Sequence, residues 1–246
     1  MYIYTNAYFC SCTLVGETVE KSTIYKMLER NHWRKLIPDK KHPKSDPAQQ
    51  ELFRNKTLLS FAEGIKQKTD KQILIFFQDE ARFGRMSDPV SCWAPAPARP
   101  VVNVALVRQY QYVFGAVCPQ TGDFEFLKAS DMKTDNMSLF LSKVSENHLD
   151  AEIIMVVDGA STHKSKSLVI PKNVHILVLP PYSPELNPVE VLWNVARRNC
   201  FANQYYDTLD EAMINLTVYM KKLKRNPDKL IRLTFWPWIS RIIDHL

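Results

Sequence analysis

Two aspartates stand directly after strongly apolar segments of this 246-residue chain. Asp79 ends the run QILIFFQD and Asp158 ends the run EIIMVVD, and both runs have the length and the Ile, Val and Phe content of buried strands. One such aspartate is an ordinary turn or cap residue. Two suggest carboxylates that converge at one edge of a sheet, where their repulsion favours a cation between them. Magnesium suits such a site, because it takes oxygen ligands and keeps waters that phosphate groups can replace.

A third carboxylate, Glu190, follows the proline-rich segment LPPYSPELNP. The spacing predicts a helix with Asn187 as its N-cap and Pro188 at its first position, which places Glu190 at the third. A glutamate there completes a capping box and interacts favourably with the helix dipole, so it needs no function. The same stiff loop would hold a catalytic acid close to Asp158, and the two roles are compatible.

The elements before the first acid are predicted to be helical. Residues 20–36 have helical spacing with Ser22 available as a cap, and a second helix begins at Asp46–Pro47. Its predicted apolar stripe contains Leu52, Leu59 and Ile65. The spacing of apolar residues then changes, and the segment QILIFFQD is predicted to be a strand.

The remaining elements alternate between strands and helices. Residues 90–128 are predicted to hold several strands, including VVNVALVR, YQYVFGAVC and FEFL, with a turn at Thr121–Gly122. A helix from Thr134 precedes EIIMVVD, and a short helix separates that strand from VHILVLP. After the helix of Glu190, Thr208 and Glu211 form a capping box for a last long helix. This order predicts an α/β fold, a mixed sheet flanked by helices.

The net charge of +6 is concentrated in two segments. Residues 21–46 hold eight Lys or Arg against three acids, and residues 221–232 hold six against one. This pattern favours a polyanionic partner, although a solvated basic surface explains it about as well. No apolar run reaches the ~20 residues of a membrane span, so no membrane partner is expected. We expect no signal peptide, and five scattered cysteines without a CxxC pair favour a reducing, cytoplasmic setting.

Three segments carry a resemblance to a known family. FFQDEARFGRMSDPVSCWAPAPARPVV, VVDGASTHKS and LPPYSPELNPVEVLWNVARRN resemble the catalytic blocks of DDE transposases of the Tc/mariner superfamily, particularly its bacterial insertion-sequence branch. The resemblance spans about residues 70–212 and weakens towards residue 18. It implies a ribonuclease-H-like catalytic domain over 46–246, and a small helical N-terminal remnant of a helix-turn-helix with a basic linker over 1–45. It also implies that Asp79, Asp158 and Glu190 are the catalytic, metal-binding acids.

The same resemblance implies a reaction and its partners. These are metal-dependent cleavage and strand transfer at transposon ends, two Mg²⁺ ions (with Mn²⁺ as a substitute), double-stranded terminal-repeat and target DNA, and a homodimer in the synaptic complex. Two features depart from the family: only 31 residues separate Asp158 from Glu190, and ETVEKSTIYKMLERNHWRK matches only the end of a helix-turn-helix. Two alternatives therefore stay open, a truncated DNA-binding fragment without activity and an unrelated two-carboxylate hydrolase such as a glycosidase.

Several residues are candidates for DNA contacts, although each also has an ordinary structural explanation. They are Lys40, Lys41 and Lys44 in the linker, Trp93 as a stacking aromatic, His163 after the second acid, and Arg197 and Arg198 on the helix of Glu190. Glu185 is not expected to be a ligand. Glu80 should face the opposite side of the strand from Asp79, so we expect it to be structural.

Overall fold

The computed structural model describes residues 20–34, 42–86, 89–159, 165 and 167–246. Lys40, Lys41 and His163 lie outside these residues. The chain divides into two compact units, Met1–Pro43 and Lys44–Leu246. None of the described helices combines the length and apolar character needed to cross a bilayer.

In the first unit, helix α1 comprises Lys21–Arg30. The sequence predicted a helix to residue 36 with Ser22 as its cap, and both points are wrong. The N-cap is Glu20, which makes no side-chain cap hydrogen bond. The helix ends early because His32 adopts a left-handed conformation with φ 59°, which terminates the α-helical hydrogen-bond pattern.

The second unit begins with a helix that is interrupted by one wide turn. Helix α2, Pro47–Leu52, passes through a π-helical turn, Phe53–Thr57, into helix α3, Leu58–Lys66. Asp46 caps α2 as predicted, accepting hydrogen bonds from two backbone amides. The π turn shifts the phase of the buried face. Ile65 is therefore buried as predicted, whereas Leu52 is 54% exposed and the predicted stripe is wrong at that position.

The described strands form one mixed sheet in the order β3-β2-β1-β4-β5. Strand β1 pairs antiparallel with β2 and parallel with β4, and β4 pairs parallel with β5. The strands are β1 Gln72–Gly84, β2 Tyr110–Cys118, β3 Asp123–Ala129, β4 Ala151–Val157 and β5 Val174–Val178. The predicted turn at Thr121–Gly122 joins β2 to β3, and Gly122 has φ 74°. The mixed α/β sheet predicted from the sequence is confirmed.

One predicted strand is wrong. Residues 101–108, VVNVALVR, make no ladder with the described sheet and belong to the long connection from β1 to β2. Val101 and Leu106 are 91% and 86% exposed. β-branched residues favour a strand only where a neighbouring strand and a packed face receive them, and these two side chains point into solvent instead.

The remaining helices cover both faces of the sheet. They are α4 Thr134–Glu146, α5 Val189–Cys200, α6 Leu209–Lys224, α7 Pro227–Thr234 and α8 Pro237–Ile243, with a short 3-10 turn at Pro184–Leu186. Thr208 caps α6 by accepting from the amide of Glu211, as predicted, while the Glu211 carboxylate accepts from the amide of Asp207. Between β4 and β5, the described residues contain no helix, and residues 160–164 and 166 are outside the described part.

Alternation along β1 decides which side chains meet which helices. Ile73, Ile75 and Phe77 lie in the core cluster that contains residues of α3 and α5 to α8. Leu74 and Phe76 lie in the opposite cluster, against α4. Asp79 continues the first series, so its side chain is on the face that α5 covers.

Candidate active site

Asp79, Asp158 and Glu190 line one cleft of about 450 Å³, which we call the acid cleft. The loop 179–184 and Asn187 form its other walls. The parallel register of β1 and β4 pairs Phe77 with Val156, and carried two residues further it sets Asp79 beside Asp158. The structure therefore brings together three acids from distant parts of the chain.

Asn187 ties the helix of Glu190 to the strand of Asp79. Helix α5 begins at Val189 with Pro188 at the N-cap, one residue later than predicted, so Glu190 is its second residue. Asn187 is therefore not the N-cap residue, and its side chain instead links the start of α5 to β1. Its Nδ2 donates to the carbonyl of Gln78 (2.8 Å), and its Oδ1 accepts from the amide of Val189 (3.2 Å). The start of α5 is thus bonded to the residue that precedes Asp79.

A second hydrogen-bonded anchor holds the proline loop. Gln50 of α2, which is buried, donates from Nε2 to Oγ of Ser183 (3.0 Å) and to Oε1 of Glu185 (2.7 Å). Glu185 faces this anchor, whereas the acid cleft is lined by Glu190. The end of the loop that leads into α5 is therefore bonded to two positions remote in sequence, the side chain of Gln50 and the backbone of Gln78.

Trp193 reaches Asp79 directly. Its Nε1 donates to Oδ2 of Asp79 at 2.8 Å, and its indole is 1% exposed and edge-on to Phe83. Gly115 of β2, the register partner of Asp79, makes room for this ring. A Cβ at Gly115 would lie 2.4 Å from Cη2 of Trp193, which is too close for any side chain. Asp79, Trp193 and Gly115 form one contact set, which we call the tryptophan anchor.

Sequence reasoning did not identify the tryptophan anchor. The sequence analysis included Trp193 only within the segment LPPYSPELNPVEVLWNVARRN, and Gly115 only within the predicted strand YQYVFGAVC. Two signals were available. Trp193 stands three residues after Glu190, so both lie on one helix face, and a glycine inside an apolar strand marks a close approach.

The acid cleft disfavours negative charge in the metal-free protein. The pKa of Asp79 is raised to about 8, chiefly by burial and secondly by the neighbouring negative charge of Glu190, while the Trp193 hydrogen bond acts to lower it. Burial also raises the pKa of Glu190, against the lowering effect of Arg197. Such a cleft is stabilised when positive charge neutralises it.

Residues 74–212 match the family described as DDE superfamily endonuclease, which is more than half of the chain. The chain belongs to this family. Residues 13–57 also match the family described as winged helix-turn-helix. An uncharacterised protein of Sinorhizobium fredii (strain NBRC 101917 / NGR234), y4pE/y4sA, is 32% identical over 133 residues, which are 54% of this DDE endonuclease and 98% of the relative.

Solved structures of Mos1 transposase resemble the fold of this DDE endonuclease. A paired-end complex with the left transposon end matches with a TM-score of 0.59 at 12% identity, over 97% of this chain and 74% of that one. A Mos1 mariner paired-end complex with Mn matches with a TM-score of 0.57 at 13% identity, over 94% and 73% of the two chains. At this identity the likeness establishes the fold, and the predicted ribonuclease-H-like fold is confirmed.

The acid cleft of the DDE endonuclease fits a divalent ion in its donor chemistry. Three carboxylates are the oxygen ligands that Mg²⁺ and Mn²⁺ prefer, and the raised pKa of Asp79 means that a cation would stabilise its ionised form. Within the described ranges, however, no three His, Cys, Asp or Glu side chains are arranged to hold one ion as they stand.

Of the predicted DNA contacts of the DDE endonuclease, those within the described ranges do not line the acid cleft. Arg197 and Arg198 line a second depression together with Arg82, and we call this the arginine groove. The guanidinium of Arg197 lies 5.3 Å above the ring of Phe83. Trp93 is fully exposed and Lys44 is exposed, and neither lines either depression.

Proposed function

We propose that this DDE endonuclease is the catalytic core of a transposase, which cleaves DNA at transposon ends and joins the freed end to target DNA. The observation that carries the proposal is the acid cleft, where Asp79, Asp158 and Glu190 meet. Family membership supplies the nuclease chemistry. The Mos1 proteins of similar fold were solved with a transposon end and as a strand transfer complex, which supports transposon ends as the substrate.

The three acids are proposed to hold two Mg²⁺ ions, for which Mn²⁺ can substitute. Mos1 paired-end complexes were solved with each of these metals. When bound, such ions activate an attacking oxygen and stabilise the leaving oxygen of a phosphodiester. Asp79, which lies within β1 just past its apolar stretch, and Asp158, which directly follows β4, would hold the ions, and Glu190 would complete one site.

The protein's own contribution is rigid placement of these acids. Asp79 is held by its strand and by Trp193, and Glu190 is held by the bond from Asn187 to β1. The buried sheet beneath them cannot yield easily, because Phe76, Phe77 and Ile154 are fully buried. Preorganised groups of this kind lower the cost of assembling a transition state at the reacting phosphate.

Basic residues are proposed to contact DNA in each unit separately. The arginine groove and the acid cleft are built on shared elements, because Arg197 is on the helix of Glu190 and Arg82 is on the strand of Asp79. Lys44, and the winged helix-turn-helix match at residues 13–57, add further candidates. We propose residues 1–45 as the remnant helix-turn-helix with its linker, residues 46–246 as the catalytic domain, and a homodimer as the unit that pairs two ends.

Replacement of Asp158 by asparagine tests this function. We expect the full chain to cleave a labelled duplex carrying the element's terminal repeat in Mg²⁺ or Mn²⁺ but not in EDTA, and Asp158→Asn to reduce cleavage to background. Asp150→Asn, which removes an exposed acid at the other end of β4, is the matched control and should cleave normally.

Two outcomes would contradict the proposal. Undiminished cleavage by Asp158→Asn would remove this acid from the site. Tight binding of the terminal repeat by the unmodified chain, without any cleavage in either metal, would favour the alternative of a DNA-binding protein that does not cut.

A further inference from the structure

The contact between Trp193 and Asp79 satisfies two groups that each need a partner. A buried indole N–H is costly without an acceptor, and a buried carboxylate is costly without donors. The 2.8 Å bond from Nε1 to Oδ2 meets both needs across 114 residues of sequence.

The contact between Trp193 and Asp79 also depends on the lack of a side chain at Gly115. Gly115 lies opposite Asp79 in the antiparallel pair, and the outer edge of the indole occupies the space where its Cβ would stand. A Cβ there would be 2.4 Å from Cη2 and 2.9 Å from Cζ2 of Trp193. Real Cβ atoms do not come so close, so any residue other than glycine must displace the ring or the strand.

We propose that Trp193 is a positioning residue for Asp79: its indole N–H occupies Oδ2 and fixes the rotation of the carboxylate, so that Oδ1 is offered to an ion in the acid cleft. The inference rests on the proposed metal-binding function of Asp79. Gly115 is also required, because the absence of a side chain there leaves space for the indole of Trp193. Hydrogen bonds that orient a metal ligand in this way commonly change metal affinity by about 10- to 100-fold.

A purely structural role for Trp193 makes a different prediction. Trp193 packs edge-on against Phe83 in the core, and any loss of that packing would lower stability without a specific effect on metal. Trp238 supplies the comparison, because it is a buried tryptophan in the same core cluster, edge-on to Phe77 and without a contact to the acids. Trp193→Phe and Trp238→Phe remove the same atoms from the same core cluster.

The experiment measures Mn²⁺ affinity of the full-length, DNA-free protein by electron paramagnetic resonance or calorimetry. We expect Trp193→Phe to weaken Mn²⁺ binding at least about 10-fold, and Trp238→Phe to bind like the unmodified chain even where its Tm is lower. Gly115→Ala leaves both partners intact but displaces the ring, and it should weaken Mn²⁺ binding in the same direction. Cleavage by Trp193→Phe should recover at high Mn²⁺ concentration.

The outcomes separate this inference from the function on which it rests. If Asp79→Asn binds Mn²⁺ as tightly as the unmodified chain, the proposed metal site itself is wrong. If Asp79→Asn loses the ion while folded Trp193→Phe retains unchanged or tighter binding, only the positioning role is wrong. Should Trp193→Phe fail to fold, Gly115→Ala decides, and unchanged affinity in that variant overturns the proposal.

Discussion

Replacement of Asp79 by asparagine should stabilise the metal-free protein. The pKa of Asp79 rises from an ordinary 3.8 to about 8 on folding, chiefly through burial and secondly through the charge of Glu190. Between these two values the folded state binds a proton that the unfolded state releases. The unmodified protein therefore loses stability as pH rises from about 4 towards 8. An asparagine does not titrate, and its amide oxygen can still accept from Trp193.

The magnitude follows from the pKa difference. At pH 7, about three pH units above the pKa of the unfolded carboxyl, protonation of Asp79 on folding lowers the stability by about 4 kcal/mol, at about 1.4 kcal/mol per unit. Asp79 is only partly buried, so solvent screening makes this an upper limit. For a chain of this size 1 kcal/mol corresponds to about 2–4 °C in Tm. We therefore expect Asp79→Asn to raise Tm at pH 7 in EDTA, by no more than about 8–16 °C.

Thermal unfolding of the two proteins in EDTA at several pH values measures the effect. The difference in Tm should be small near pH 4, grow through neutral pH and level off above pH 8. Mn²⁺ should then reverse the order, stabilising the unmodified chain and not the variant, because a bound ion favours the ionised carboxylate. A Tm difference that is independent of pH, or a less stable variant at pH 7, would refute the reasoning, and Asp150→Asn should show neither effect.

Two further predictions concern the surroundings of the acid cleft. The double variant Arg197→Gln and Arg198→Gln should bind duplex DNA more weakly, and the slope of log affinity against log salt concentration should fall by about 1 for each phosphate that the two arginines neutralise. Arg241→Gln on α8 is the control. An unchanged slope in the double variant would exclude the arginine groove from DNA binding. Asn187→Ala leaves the buried carbonyl of Gln78 without its donor and should lower the free energy of unfolding by about 1–3 kcal/mol in a urea titration, with cleavage reduced more than stability alone explains. Unaltered cleavage by folded Asn187→Ala would show that this cross-link does not position Glu190.

Local patterns in the sequence predicted most of the sheet. QILIFFQD and EIIMVVD are continuous apolar runs, and only a strand buried on both faces accommodates them. Parallel pairing of two such strands sets the ends of their apolar stretches side by side, which brings Asp79 near Asp158. The predicted strand end at Asp79 is wrong, because β1 continues to Gly84 in its pairing with β2. The proline loop and the resemblance to DDE transposases placed Glu190 in the same region.

The sequence-based predictions were wrong where strand-forming residues had no neighbouring strand to pair with, and where the helical periodicity was interrupted. Residues 101–108 have strand-forming side chains but no neighbouring strand of the described sheet to pair with. The π turn at Phe53–Thr57 inserts an offset that helical spacing does not reveal, and it moves Leu52 to the surface. Both features depend on packing against the rest of the chain.

The amino-acid sequence alone establishes which acids follow the apolar stretches of β1 and β4, because burial on two faces constrains composition residue by residue. Only the tertiary structure decides what holds the acids in place. The bonds from Trp193 to Asp79 and from Asn187 to Gln78 join residues more than 100 positions apart. Their formation depends on the phase of α5 against β1 and on the space left by Gly115, and these are properties of two packed surfaces that neither segment encodes by itself.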